Sequence, residues 1–134
     1  MTATTSDRDG TRKEGVIIAY PVAASTTILK ETLVELNSSG YLEGLTDPSG
    51  NFAGISFEGV DNSSGDAGDV YCKVYKEGIF ELNLSSAAIT DVGEAVYPVD
   101  NQTVTKTSTG AVKCGEAVQY SSSGKMFVDI SRRT

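Results

Sequence analysis

Nucleophilic and metal chemistry in proteins most often starts from histidine, and this chain of 134 residues has none. That removes the commonest general base, the commonest metal ligand and the usual pH switch together. An activated Ser, Thr or Cys would then need Lys or a carboxylate beside it, and no spacing in the sequence marks such a pair. The richest acidic stretch is Asp61 to Asp69, DNSSGDAGD. Oxygen-rich loops of this kind can hold calcium, but its glycines and acids are out of register with an EF-hand and no Glu follows at the twelfth place. A solvated loop is the favoured reading and a weak cation site the alternative. Gly65-Asp66-Ala67-Gly68 leads into a strand pattern rather than a helix N-terminus, so it is no phosphate cradle. The remaining acids fall in turns and at strand ends, where solvated charges normally sit. No enzyme and no cofactor are expected.

Cys72 and Cys114 are far apart and each lies in an apolar alternating run. Two buried reduced thiols are expected, with a disulfide between neighbouring strands as the alternative; two cysteines make no framework. The net charge of −7 argues against nucleic acid, whose affinity comes from Lys and Arg on phosphates. Arg12-Lys13 and Arg132-Arg133 are too short to offset it. The N-terminus MTATTSDRDG is polar where a signal peptide would be apolar, and no apolar run approaches the roughly 20 residues of a membrane span. A soluble protein made in the cytoplasm, with no membrane partner, is expected.

The elements that would carry any site are short strands. Only 39% of residues are hydrophobic and 14 are glycine, which favours many strands and turns over a helical bundle. Asp69 to Val99 reads as a central meander. Val70, Cys72 and Val74 alternate with Tyr71, Lys73 and Tyr75, and Glu77-Gly78 offers a turn. Ile79 to Asn83 would return as the partner strand, and Glu94 to Val99 would be the third strand, ended by Pro98. Before it lie Val16 to Val22, a strand whose Pro21 suits an edge position or a strand end; Thr32 to Asn37, read as a strand although Leu29, Leu33 and Leu36 also have helical spacing; a Gly40 turn; Tyr41 to Leu45; and Phe52 to Val60, with Gly54 and Gly59 marking bulges or close backbone approach. Ser85 to Thr90 reads as one helical turn capped by a Ser hydroxyl. After it come Val104 to Thr107, Val112 to Tyr120 with a bulge at Gly115, and Lys125 to Ile130. The count is about nine or ten strands, an all-β antiparallel barrel or sandwich. Residues 1–14 are too polar to fold alone, so residues 15–134 would form one β domain behind a flexible arm. That arm is either a frayed terminus or a segment that orders on a partner.

Several stretches taken together resemble a known family. They are ETLVELNSSGY, then ISFEGVDNSSGDAGDVYCKVYKEGIFEL, then ITDVGEAVYPVDNQTVTKTSTGAVKCGEAVQYSSSGKMFVDI. The carrying steps are Gly68-Asp69, Gly78-Ile79-Phe80, Val92-Gly93-Glu94-Ala95-Val96-Tyr97 and the run Gly124 to Ile130, the last with one residue more before Val128 than the family pattern. The resemblance is to capsid decoration or cement proteins of tailed phages and prophages. It implies a small β-barrel or sandwich on the outer face of an assembled capsid, with the major capsid protein as partner. It also implies self-association, with a trimer at capsid three-fold positions favoured, and no catalytic residues. The alternative is a virion-displayed domain for host adhesion or interaction. For capsid contact the candidates are Arg8, Arg12 and Lys13 on the arm and the apolar Val16, Ile17 and Ile18 that follow it.

Overall fold

The computed structural model describes residues 2–3, 5–6, 15–108 and 110–131. Seven strands come first: β1 (Ile17–Pro21), β2 (Thr26–Ile28), β3 (Leu33–Leu36), β4 (Leu42–Gly44), β5 (Asn51–Ser56), β6 (Val60–Asn62) and β7 (Tyr71–Tyr75). Five of them form an antiparallel sheet in the order β1-β7-β5-β3-β4, while β2 and β6 pair as a separate ribbon. The second half supplies β8 (Ile79–Leu84), a 3-10 turn at Ile89–Asp91, β9 (Ala95–Pro98), β10 (Thr103–Thr105), β11 (Gly115–Ser122) and β12 (Lys125–Asp129). These five strands close a barrel in the order β10-β8-β12-β11-β9.

Two apolar clusters follow from the two-residue period. Leu33, Phe52 and Ile55 turn from the sheet toward the barrel and join Leu82, Leu84, Val96, Val104, Cys114, Met126 and Val128. Val34, Ala53, Cys72 and Val74 point the other way, where Val22, Ile28 and Leu42 cover them. The sheet is therefore buried on both faces, and β5 is apolar at successive positions for that reason. Backbone bonds tie the halves together, among them Leu33 N–H to Asn101 O (2.8 Å) and Val112 N–H to Pro48 O (2.9 Å).

The expected all-β class and barrel hold, with twelve strands rather than nine or ten. Two strands are additional. Phe52 to Val60 breaks at 57–59 into β5 and β6, which enter different sheets. β2, at Thr26–Ile28, lies in the expected small-residue connection. The central meander does not form. β7 lies between β1 and β5, and β8 lies between β12 and β10. A strand has two edges, so neither has one left for the other. Glu77-Gly78 is instead the step between the two bodies, with Gly78 at φ 130° and its carbonyl accepting from Ile130 N–H. One barrel pair, β8 with β10, is parallel.

Smaller differences have local causes. The 3-10 turn sits later than expected, and it is capped by the Asp91 carboxylate accepting from Ala88 N–H (2.9 Å), not by a serine. β11 is irregular at two places, after Ala117 and after Tyr120, rather than at Gly115. Gly115 is needed for another reason: a Cβ there would lie 2.7 Å from Val128 Cγ1 and 2.8 Å from Asp129 O. Both cysteines are buried and unbridged, Cys72 in one cluster and Cys114 in the other. Burial pushes the Cys72 thiol up to about 11, which keeps it protonated.

Candidate interaction surface

Of the six residues proposed for docking, Arg8, Arg12 and Lys13 lie outside the described residues. Of the other three, Val16 directly precedes β1, and Ile17 and Ile18 open it. Val16 and Ile17 are 43% and 38% exposed, whereas Ile18 is half-buried. Pairing explains the difference. Ile18 lies opposite Val74 and Tyr20 opposite Cys72, so both share the face of the second cluster; Ile17 and Ala19 lie opposite Tyr75 and Lys73 on the other face. Val16 and Ile17 thus supply the more exposed apolar surface, and Ile18, on the opposite face, is partly exposed beside them.

Strand β1 ends the sheet order. Val16 O accepts from Lys76 N–H (2.7 Å) and Val22 N–H donates to Val70 O (2.9 Å), so even-numbered residues bond to β7. The antiparallel pattern then turns the backbone groups of Ile17 and Ala19 outward. Pro21 has the same outward parity, so its missing N–H costs the ladder nothing. Among the described residues no strand pairs with the outer side of Ile17 to Pro21. An exposed edge with apolar flanks is the arrangement that accepts an added strand.

A second exposed apolar feature escaped the sequence reading. Ile89 is 73% exposed and Val92 45%, both on the 3-10 loop. The loop is pinned from beneath by Asp91, itself 5% exposed, whose carboxylate takes Lys106 Nζ at 2.6 Å and Ala88 N–H. Gly93 N–H also reaches Ala117 O. These bonds fix the loop on β11 and leave its two apolar side chains at the surface. Only the acid three residues after Ala88 hints at a cap in the sequence.

The bond from Lys106 and the Ala88 amide hold the Asp91 carboxyl below the usual carboxylate range, and Asp91 holds Lys106 up. A depressed acid adds stability that is present above its unfolded pKa and lost as pH falls through its folded one. Asp91→Asn should therefore melt lower than wild type at neutral pH. Below the range of an ordinary aspartate the two should converge, which thermal scans at both pH values will read.

The acidic loop is organised by Asn62, whose buried Nδ2 donates to Ala23 O (2.9 Å) and Asp66 O (3.0 Å). Its acids serve turns: Asp61 Oδ1 accepts Ser63 N–H and Asp69 Oδ2 accepts Asp66 N–H. Bonds from Ser63 hold the Asp61 carboxyl low. Acids do meet elsewhere. Glu35 and Glu43 face each other across β3 and β4, at a cavity of about 580 Å³ also lined by Asn37, Asp47 and Asn51.

The model of one protein family, described as phage cement protein, matches residues 12–132 of the chain. Among solved structures the chain is similar to "head fiber gp8.5 N base in bacteriophage phi29", with a TM-score of 0.55 and 16% sequence identity over 88% of this chain and 97% of that one. At that identity the likeness is one of fold. No curated protein matches the sequence.

Proposed function

Because the chain belongs to the phage cement protein family, we propose that this structural phage protein binds the outer surface of an assembled capsid and strengthens it. The observation that carries the reading is the extent of the family match, residues 12–132, which takes in every strand of both bodies. The mechanism is mass action. A protein that binds only the assembled shell stabilises that state, and many copies bridging neighbouring subunits add avidity without strong single contacts. The partner is the major capsid protein, and copies sit as trimers around three-fold positions, in keeping with closed symmetry. Residues 15–134 act as one β domain, and residues 1–14 act as an arm. Arg8, Arg12 and Lys13 meet acidic capsid groups, and Val16 and Ile17 meet apolar ones.

Purified protein added to undecorated heads should bind and raise their rupture temperature. Deleting residues 2–13 should leave the melting temperature of the protein nearly unchanged and weaken capsid binding at least about tenfold, or roughly 1.4 kcal/mol. Undecorated heads that take up no protein at micromolar concentration would overturn the reading. Full affinity after the deletion would remove the arm from it. The likeness to a head fiber base favours a second reading, a virion-displayed interaction domain. That reading predicts binding to a cell-surface glycan or protein and no change in rupture temperature.

A further inference from the structure

Strands β3 and β4 place two glutamates directly opposite each other, Glu35 against Glu43. Like charges at such a position repel across about 5 Å. Glu35 is 3% exposed, yet both of its oxygens are occupied: Oε2 accepts Thr46 Oγ1–H and Oε1 accepts Asp47 N–H, each at 3.1 Å. Both side chains line one cavity, and with the Glu35 oxygens already accepting, a bond between the two carboxyls takes its proton from Glu43, whose pKa such a bond raises most. Asn37 helps fix this geometry. Its Oδ1 accepts Ser39 and Tyr41 N–H (3.0 Å each), which leaves its amide to donate toward Glu43, a bond that favours the ionised form and partly offsets the effect of Glu35.

We propose that Glu35 and Glu43 share one proton and form a latch on the β3–β4 hairpin and the Thr46–Gly50 turn, closed while the proton is held and loosened when both groups ionise. The reach of the latch follows from its bonds. Glu35 holds Thr46 and Asp47, Pro48 O in the same turn accepts Val112 N–H, and Cys114, two residues on, bonds to β9 at Val96 O. Loosening Glu35 therefore slackens one tie between the sheet and the barrel.

The surroundings make the proton the natural counter-charge. From β5 the pair faces Asn51 and Phe52, and the hairpin turn adds Asn37 and Ser38. β2, packed on β4, brings only Thr26, Thr27 and Ile28. Asp47 is the one further charged group among the described residues lining the cavity, and its Oδ1 accepts Ser49 N–H and Oγ–H. No described Lys or Arg lines it. The bond to Glu35, then burial, then the Glu35 charge push Glu43 up to about 7 from its ordinary 4.5. The folded chain thus binds more protons than the unfolded chain between those values, so stability falls as pH rises through that window and levels off above it. The chain has no histidine, so apart from the α-amino group nothing ordinary titrates there.

Carboxyl-detected NMR on the full chain should show one glutamate titrating near neutrality, and Glu43→Gln should abolish that transition. The introduced amide keeps a donor toward Glu35 without the second charge. In wild type, the opening constant of the Asp47 amide, read by hydrogen exchange corrected for intrinsic pH dependence, should rise at least about tenfold from pH 5 to pH 8.5. In the variant it should stay flat. If every glutamate of the wild type titrates in the ordinary range, the proposal is wrong, whether or not the variant folds. A wild-type opening constant that does not change with pH, or a variant with the wild-type slope, overturns it equally.

Discussion

Gly54→Ala should lower the melting temperature by at least about 10 °C, an effect on the order of 4 kcal/mol for a domain of this size. The position is closed to a side chain in two independent ways. Its φ is 144°, a conformation that L residues adopt only at a strain of about 1–3 kcal/mol. A Cβ built there would also sit 2.1 Å from Tyr75 O and 2.8 Å from Val74 Cγ1. The carbonyl cannot step aside cheaply, because Tyr75 is paired on both sides, with Ile17 in β1 and Ile55 in β5. The β5–β7 junction must open, and Ile55, fully buried in the larger cluster, moves with it. Gly44→Ala is the matched control. It lies in the same sheet, at negative φ, with nothing within 4 Å of the added methyl group. It should melt close to wild type, within about 0.5 kcal/mol. Equal melting temperatures for the two variants would mean that the close approach of β5 to β7 is not a constraint on the fold.

Gly54 also shows where sequence reading succeeds. A glycine inside an apolar run points to a bulge or a near backbone, and the register does shift there, between Val34 and Glu35 of the partner strand. Pro21 in the same local way narrowed its strand to an edge position or a strand end, and in the fold it has both. Partnership was not legible. Alternation in Val70 to Tyr75 and Ile79 to Asn83 says that each is a strand with one face buried, and Glu77-Gly78 says that the chain turns between them. The shortest loop is then the cheapest guess. What decided otherwise is nonlocal: β7 is claimed on both edges by β1 and β5, from more than fifty and about twenty positions upstream. The apolar loop at Ile89 and Val92 was missed because exposure is invisible in residue type. The Glu35–Glu43 pair was missed because two glutamates eight positions apart become neighbours only through a hairpin register.

The docking proposed for the β1 edge can be tested so that backbone pairing and apolar contact give different answers. Ala19 is exposed, and its N–H has the outward parity set by Val16 O and Val22 N on the inner side. Ala19→Pro therefore deletes a donor that β7 does not use and places a ring where an added strand would lie. Edge strands tolerate proline at outward positions, as Pro21 two residues on already does. The variant should remain folded, with a melting temperature within a few degrees of wild type. If a capsid segment or the arm pairs along β1, affinity for undecorated heads should fall about a hundredfold, or roughly 2.7 kcal/mol, because one blocked position ends the ladder on both sides of it. Val16→Asp asks the other question. Its backbone bond to Lys76 is kept, and its exposed side chain changes from apolar to charged. Loss of binding in this variant alone would assign the contact to side chains rather than to an added strand. Loss in both would place the capsid against the whole first turn of the edge. Full affinity in both variants would move the docking surface away from β1, and the pinned loop carrying Ile89 and Val92 would then be the next surface to alter.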